Sequence, residues 1–419
     1  MPETTFQVYR YRWVVLLGYM LITAMTQLLW ITFAAITSTA TAFYGVSDLA
    51  IGLLSMIYMI VYIVVSVPAS WAIDTWGIRK AVGLGAALTG IFALVRGLGA
   101  GSYTWVLVGQ IGMAIGQPLV MNANTVVAAR WFPISERATA VGLGSLSLYL
   151  GIVLGLILTP LLAPQPGMMG SMLLIYGIAA VVAAGVFIVL AREKPPTPPC
   201  PAGQEARSLV FTGLKDALRN RNFILLLVVL FIGLGLFNAV TTWIENIIRP
   251  RGFTSAQAGI DGGLMVAGGI LGALVLPTLS DKMRKRVPFL VIAVLGAIPG
   301  MVGVTLARSY GLLIASSVWL GFFLLAAGPI AFQYGAEITY PAPEGTTNGL
   351  LILAGQLSGI LFIFAMDALK APGTGSMTNS MVALIVMLGV ALGICLMLRE
   401  STLIKREGWA NKVLARDAR

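Results

Sequence analysis

The chain is dominated by long apolar runs that alternate with short polar intervals. A run of about 20 apolar residues is long enough to cross the hydrocarbon core of a bilayer as a helix. Runs of this length predict twelve membrane-spanning helices, near residues 13–42, 48–73, 80–99, 103–129, 136–163, 168–191, 223–248, 254–280, 287–307, 310–336, 345–369 and 376–398. The predicted fold class is therefore an all-α membrane protein, with six helices on each side of one long polar interval.

That polar interval, residues 192–222, divides the chain into two halves. It contains the proline-rich stretch 195–199 and then four basic residues, a composition typical of an extended linker followed by a basic amphipathic segment. We predict four parts: an N-terminal six-helix half at 1–191, a cytoplasmic linker at 192–222, a C-terminal six-helix half at 223–398 and a cytoplasmic tail at 399–419.

Basic residues concentrate on one side of the predicted topology. With a cytoplasmic N-terminus, 22 of the 27 Lys and Arg residues fall on the inner side, as the positive-inside rule requires. The five on the outer side are Arg96, Arg249, Arg251, Arg308 and Lys370. None of the 27 is expected near the bilayer midplane. We expect a multi-pass protein of the cell membrane with both termini in the cytoplasm.

Composition excludes most other classes of protein. With 58% hydrophobic and 10% charged residues, the chain is not a water-soluble globule, in which about 25% of residues are charged. The net charge of +11 arises from loops between apolar runs, so we expect no nucleic-acid partner. Histidine is absent, and the two cysteines, Cys200 and Cys395, are far apart in sequence. We therefore expect no enzyme active site, no metal site and no cofactor.

The first apolar run carries one polar stripe. Thr23, Thr26, Gln27 and Trp30 occupy positions i, i+3, i+4 and i+7 and so share one face of a helix. Polar groups within a bilayer turn toward other helices or a water-filled cavity. We expect this stripe to line a cavity, although a tryptophan alone also suits a membrane interface.

The two halves resemble each other at an offset of 207 residues. Asp74 and the basic pair after it correspond to Asp281 and the basic cluster after that residue. Proline breaks recur as well, at Pro118 and Pro329. Paired halves with paired helix breaks indicate a repeat-built secondary transporter whose site lies between the halves. We expect a monomer that moves a small-molecule substrate across the bilayer by alternating access.

A cytoplasmic motif joins the second and third predicted helices. It includes Ser70, Asp74, Gly77 and Arg79. This motif resembles that of the major facilitator superfamily, Gly-x-x-x-Asp-x-x-Gly-x-Arg-Lys/Arg, with serine in place of the first glycine. The resemblance implies the major facilitator fold and a conformational gating role for Asp74, Gly77, Arg79 and their counterpart Asp281, and for Glu136 and Arg137 in the next cytoplasmic loop. The alternative is a simple topogenic turn.

Within that superfamily the chain resembles the feline leukaemia virus subgroup C receptor-related carriers. The matching stretches are Phe43-Tyr-Gly-Val-Ser47, Leu54-Ser-Met-x-Tyr58-Met-x-x-Tyr62 and Val108-Gly-Gln110. These carriers transport choline and ethanolamine and have been linked to heme. The resemblance is clear over the first four to five helices and faint in the second half.

The resemblance implies ligand contacts for a tryptophan of the first helix and a glutamine of the fourth. These positions fall on Trp30 and Gln117. The tyrosine of the family's seventh helix is replaced by Asn238, and an asparagine-glutamine pair is replaced by Glu245-Asn246. The implied pocket is therefore related to that of the family but remodelled.

An aromatic cage is a physical reason for these residue types. A quaternary ammonium has no N–H donor, and each aromatic face is worth about 0.5–2 kcal/mol to it. The cage candidates are Trp30, Tyr58, Tyr62 and Phe237. Gln27 lies on the same stripe, and Gln117 and Asn122 are candidates for binding a ligand hydroxyl. As alternatives, the aromatic residues pack against lipid, and Gln117 satisfies backbone groups freed by Pro118.

Glu245 is the carboxylate placed clearly inside an apolar run. It is a candidate for holding a cationic substrate or carrying a proton, and the alternative is an interfacial ion pair with Arg249. We expect facilitated diffusion of a choline-like or other organic cation. The alternatives are a proton-coupled or exchange carrier of organic anions, disfavoured because no Arg or Lys is expected at depth, a heme carrier, or a receptor that does not transport.

Overall fold

The computed structural model describes residues 7–197, 217–340 and 344–401. Most of the predicted linker and tail lie outside these ranges. Within them the chain forms helices and no strands. The α-helices are α1 (Arg12–Ile31), α2 (Thr37–Tyr44), α3 (Asp48–Leu98), α4 (Tyr103–Met121), α5 (Asn124–Trp131), α6 (Ile134–Leu162), α7 (Met169–Leu190), α8 (Arg221–Thr242), α9 (Ile244–Ile248), α10 (Ser255–Met283), α11 (Val287–Leu306), α12 (Tyr310–Thr339), α13 (Glu344–Ala368) and α14 (Thr378–Met397).

The predicted number of spans agrees with these helices. In the described ranges, eleven helical stretches are long and apolar enough to cross a membrane. One of them, α3, has 51 residues and is about 75 Å long, more than twice the thickness of a bilayer core. It breaks at Gly77, whose φ of 84° and ψ of 171° are not helical. Divided there, α3 supplies two spans, and the total is twelve.

The first span is broken beyond the polar stripe. α1 ends at Ile31, a 3-10 turn covers Ala34–Ile36, and α2 follows. The Thr32 hydroxyl satisfies carbonyls near the break, those of Leu28 at 3.0 Å and Leu29 at 3.1 Å. The bilayer core offers no water to these carbonyls. The hydrogen bonds from Thr32 therefore lower the energetic cost of breaking the helix here.

The fourth span is broken near Pro118, where the sequence predicts a break. α4 ends at Met121, three residues after Pro118, and α5 begins at Asn124. The N–H of Asn122 still donates to the carbonyl of Pro118 at 3.1 Å. The break places Gln117 and Asn122 on either side of the altered turn.

The described chain divides into two compact units. The first unit contains the described part of Met1–Arg207, together with Thr242–Glu245 and Thr254–Gly263. In it α3 packs against α4 and α7, and α1 packs against α6 and α7. A side chain at Gly151 of α6 would collide with the backbone of Ala24 in α1, so glycine permits the close packing of these two helices.

The second unit contains the remaining described residues of the C-terminal half, from Ser208–Thr241, Asn246–Phe253 and Leu264–Arg419. In it α11 packs against α12 and α14, and α13 packs against α12 and α14. Two short segments of the second half of the sequence therefore pack with the first half, which is a finer division than the predicted boundaries.

Candidate functional site

Trp30 lies in the interior of the first unit. Its side chain is 5% exposed, and its indole N–H donates to the backbone carbonyl of Ser55 in α3 at 3.2 Å. Because the N–H is already bonded, the faces of the ring are what the side chain can still offer to a ligand.

The remainder of the polar stripe is also buried. Gln27 donates from Nε2 to the sulfur of Met121 at 3.1 Å, and Thr26 donates to the carbonyl of Thr23 at 2.8 Å. A cavity of about 40 Å³ adjoins the stripe, large enough for about one water molecule. The residues around it are Tyr19, Thr23, Met121, Asn124, Gly144, Ser145 and Leu148. The stripe faces α4 and α6, not lipid.

Tyr62 and Asn122 form a closed hydrogen-bond cluster. The Tyr62 hydroxyl donates to Oδ1 of Asn122 at 2.8 Å. The Nδ2 of Asn122 donates to the carbonyl of Ser66 at 3.2 Å and to the hydroxyl of Ser70 at 3.0 Å. The polar atoms of Asn122 are thus occupied by protein groups in this arrangement.

Gln117 is different, since its amide makes no hydrogen bond with any described residue. Its side chain is 6% exposed. Tyr58, only 2% exposed, likewise has a buried hydroxyl without a hydrogen-bond partner in the described chain. A buried hydroxyl without a partner is rare in a protein interior, so Tyr58 is a candidate for contact with a ligand. Gln117 is a candidate because its amide has no partner among the described residues to give up.

Arg96 is a buried residue that the sequence analysis missed. It is 0% exposed. Its Nη1 donates to Oε1 of Gln110 at 2.9 Å and to the carbonyl of Leu29 at 3.3 Å. Gln110 in turn donates to the carbonyl of Leu54 at 3.0 Å, and the guanidinium lies 5.7 Å from the ring centre of Phe33.

The predicted topology assigns Arg96 to the outer side as a topology residue, and the structure shows that its side chain is buried instead of exposed in a loop. α3 continues to Leu98, so Arg96 is in its last turn, and its side chain turns inward to Gln110, about 10 Å along α4 from its start at Tyr103. Gly109 allows this, because a Cβ there would meet the backbone and Cβ of Arg96. The adjacent Gly109 and Gln110 in α4 are the sequence feature that could have predicted this contact.

Phe237 and Asn238 belong to the second unit. Phe237 is half-buried in α8. Asn238 donates from Nδ2 to the carbonyl of Gly355 in α13 at 3.4 Å, a long hydrogen bond. Asn238 is therefore only weakly held by its own unit.

Glu245 is 2% exposed and lies in the first unit. It accepts hydrogen bonds from the backbone N–H of Ser38 at 2.9 Å, from the Ser38 hydroxyl, and from the Ser255 hydroxyl at 2.8 Å. Serine donors to this carboxylate were not among the sequence-based alternatives. The spacing of Ser38 and Glu245 equals the repeat offset of 207, which is the signal that would have paired them.

The loop motif at residues 70–79 is organised by Glu193, a residue of the predicted linker. Glu193 accepts from the backbone N–H of Ile78 at 3.2 Å and of Arg79 at 2.9 Å, and it forms an ion pair with Arg130. It thereby caps the helical segment that begins after Gly77.

The next loop residues are held by their own contacts. Glu136 forms an ion pair with Arg12 at 2.9 Å. Arg137 donates to the carbonyls of Phe132 at 3.2 Å and Ala129 at 3.0 Å. Asp74 is exposed.

The second half repeats this arrangement at the same offset. Arg286, at the position of Arg79, forms ion pairs with Asp281 and with Glu337, the latter at 2.9 Å. Glu400, at the position of Glu193, accepts from the backbone N–H of Arg286 at 2.9 Å. Burial alone would lower the pKa of Arg286, but its hydrogen bonds with Asp281 and Glu337 outweigh burial and raise it.

In the described ranges, twelve spans, two repeats with matching loop charge clusters, and a buried aromatic and polar cluster are typical of a secondary transporter. The profile of the Major Facilitator Superfamily matches residues 15–363. The chain belongs to this superfamily, and the predicted fold class is confirmed.

Similar proteins support the more specific resemblance. Solute carrier family 49 member A3 of Xenopus tropicalis is 32% identical over 386 residues, covering 88% of this chain and 80% of the relative. The choline/ethanolamine transporter FLVCR1 of Felis catus is 30% identical over 412 residues, covering 93% of this chain and 73% of the relative. The predicted relationship to the feline leukaemia virus subgroup C receptor-related carriers is confirmed.

A solved structure shows the same fold at low sequence identity. A bacterial homolog of the human lysosomal transporter Spinster has a TM-score of 0.77 at 19% identity, covering 94% of this chain and 98% of that chain.

Proposed function

We propose that the protein carries a choline-like organic cation across the cell membrane by alternating access, as a facilitated diffusion carrier. The concentration gradient and the membrane potential drive the movement of the cation. Relatives named choline/ethanolamine transporters support this substrate class. We further propose that both termini are cytoplasmic, on the strength of the 22 basic residues on that side.

The observation that carries the proposal is the state of Trp30. The ring is buried and its N–H is bonded to Ser55, so it offers an aromatic face without a competing donor. A quaternary ammonium requires such a face. The unbonded Gln117 amide is suited to a hydroxyl on the same molecule, and Tyr58 and Tyr62 of the first unit are proposed to complete the pocket. Phe237 and Asn238 of the second unit are proposed as separate ligand contacts on the basis of their sequence positions.

Glu245 is proposed to stabilise one conformation of the carrier and not to couple transport to protons. Its carboxylate accepts hydrogen bonds from two serine hydroxyls and a backbone N–H, and these contacts join α9 to α2 and α10.

Uptake of labelled choline by proteoliposomes containing the purified protein tests this function. We expect saturable uptake that Trp30→Ala abolishes while the protein still inserts and folds. Trp105→Ala is the matched control, since Trp105 lies in α4 with 55% of its side chain exposed. Choline uptake unaffected by Trp30→Ala would contradict the cage, and no choline uptake by the wild type would contradict the substrate class.

An organic-anion carrier is the second candidate function. Such carriers normally present a buried Arg or Lys to the anion, and Arg96 is 0% exposed inside the first unit. Uptake of labelled carboxylates or phosphate esters, with choline in parallel, separates the two candidates.

A further inference from the structure

Arg96 presents an unused hydrogen-bonding edge inside the first unit. Its Nη1 is bonded to Gln110 and Leu29, whereas Nε and Nη2 are buried and have no partner in the described chain. The N–H bonds of Nε and Nη2 lie on the same edge of the planar guanidinium. This edge matches two oxygens of one carboxylate or phosphate group.

Among the residues that the structure describes, no counter-charge lies near the positive charge of Arg96. Within residues 7–197, 217–340 and 344–401, its electrostatic interactions are with the phenol groups of Tyr58, Tyr44 and Tyr176, and none of the ion pairs includes it. An unpaired charge in a protein interior is strongly destabilising. An anionic group bound at the open edge would relieve this cost.

Tyr58 supplies a second, independent donor. Its hydroxyl is buried and has no partner in the described ranges, and it belongs to the group of phenols around Arg96. Two neighbouring side chains thus have buried donors without an acceptor. Because such groups are rare, they indicate that a bound group supplies the acceptor.

We propose that Arg96 and Tyr58 bind an oxyanion group, a carboxylate or a phosphate. The site opens to this group during the conformational cycle and is closed in the arrangement described here. The group is either a free ion or part of the transported solute.

The surroundings favour a group that belongs to the solute. Arg96 donates a hydrogen bond to the carbonyl of Leu29, the residue directly before Trp30. Its partner Gln110 donates to the carbonyl of Leu54. Leu54 directly precedes Ser55, whose carbonyl accepts the hydrogen bond from Trp30. The open edge of the Arg96 guanidinium and the ring of Trp30 therefore lie along the same interface between α1 and α3. Resting on the proposed ammonium site at Trp30, this arrangement fits a zwitterionic solute that carries an ammonium and an oxyanion.

Binding measured by thermal shift on the purified full-length protein tests the site. The probes are choline, which has no anionic group, glycine betaine and phosphocholine, which add a carboxylate or a phosphate, and acetate and inorganic phosphate, which lack the ammonium. We expect the two zwitterions to bind wild-type protein about tenfold more tightly than choline, since a charge-assisted bidentate pair is added.

Three variants assign that difference to named groups. Arg96→Lys keeps the charge but lacks the planar edge, so we expect it to lose most of the tenfold preference. Tyr58→Phe should lose a smaller part. Arg308→Gln, at an exposed arginine, is the matched control and should keep the full preference.

The outcomes separate the two sources and the two proposals. Binding of acetate or inorganic phosphate that is lost in Arg96→Lys, without a preference for zwitterions, identifies a free ion as the occupant. Oxyanion binding without any binding of choline supports the Arg96 site and contradicts the cation carrier. If wild-type protein binds the zwitterions no better than choline and binds neither free oxyanion, the site at Arg96 is wrong, whether or not the variants fold.

Discussion

Ser38 and Glu245 occupy equivalent positions in the two repeats and are hydrogen bonded to each other. The backbone N–H of Ser38 donates to Glu245 at 2.9 Å, and its hydroxyl donates to the other carboxylate oxygen. Ser255 adds a third donor at 2.8 Å. A buried carboxylate held by three donors is well stabilised as an acceptor, so the pair fastens the ends of two repeat-related spans within one compact unit.

Glu245→Gln should therefore destabilise the protein. The amide keeps one acceptor oxygen but places an NH₂ group against serine donors, and we expect a loss of about 1–3 kcal/mol. Thermal unfolding in detergent measures the change, with Ser255→Ala, which removes one donor, as the milder comparison. Because we propose uniport, the pH dependence of uptake should be the same in Glu245→Gln and wild type, and a changed pH profile would instead indicate proton coupling through this residue.

Gln110 and Gln117, two turns apart on α4, should respond differently to replacement by alanine. Gln110 bonds both Arg96 and Leu54, so its loss leaves a buried guanidinium and a carbonyl unsatisfied and should cost about 2–4 kcal/mol. Gln117 has no such partner, so Gln117→Ala should cost less than about 1 kcal/mol while weakening substrate uptake. Parallel melting curves and uptake measurements distinguish them, and equal destabilisation by both variants would contradict the assignment of Gln117 to the ligand.

The fold was predictable because span length and repeat symmetry are properties of the sequence itself. Apolar runs of bilayer length had to become helices, and the offset of 207 residues paired Asp74 with Asp281. The same offset also pairs Glu193 with Glu400 and Ser38 with Glu245. The repeat could therefore have predicted these residues as well.

The burial of the Arg96 side chain was not predictable by counting residues along the chain. An arginine in the last turn of a span normally extends its long side chain toward the membrane surface. Here the close approach of Gly109 and the acceptors on Gln110 and Leu29 draw it inward. The direction of the Arg96 side chain depends on how α1, α3 and α4 pack together. The sequence of one helix alone does not specify that packing.

Gly77→Ala should disrupt the loop motif at residues 70–79. Gly77 has a φ of 84°, a conformation that costs a residue with a side chain about 1–3 kcal/mol, and an added Cβ would collide with the carboxylate of Glu193. Gly83→Ala in the same helix is the matched control, because nothing lies within 4 Å of a Cβ added there and alanine is the better helix former. We expect a lower melting temperature for Gly77→Ala alone, and the conformational role of Gly77 is contradicted if the two variants melt and transport alike.

Glu193→Ala should slow transport more than it weakens substrate binding. The substitution removes the acceptor for the N–H groups of Ile78 and Arg79 and leaves Arg130 without its ion-pair partner. The helix cap is worth about 1 kcal/mol, and the ion pair adds less because both side chains are partly exposed.

These contacts lie at the loop motif of residues 70–79 and not among the proposed ligand contacts. Glu193→Ala should therefore change the maximal uptake rate with little change in the substrate concentration at half-maximal uptake. Lys194→Ala, at the exposed neighbouring residue, controls for the position. A double-mutant cycle with Arg130→Ala isolates the ion pair. If Glu193→Ala changes only the half-maximal concentration, Glu193 acts on the ligand site and not on the conformational equilibrium.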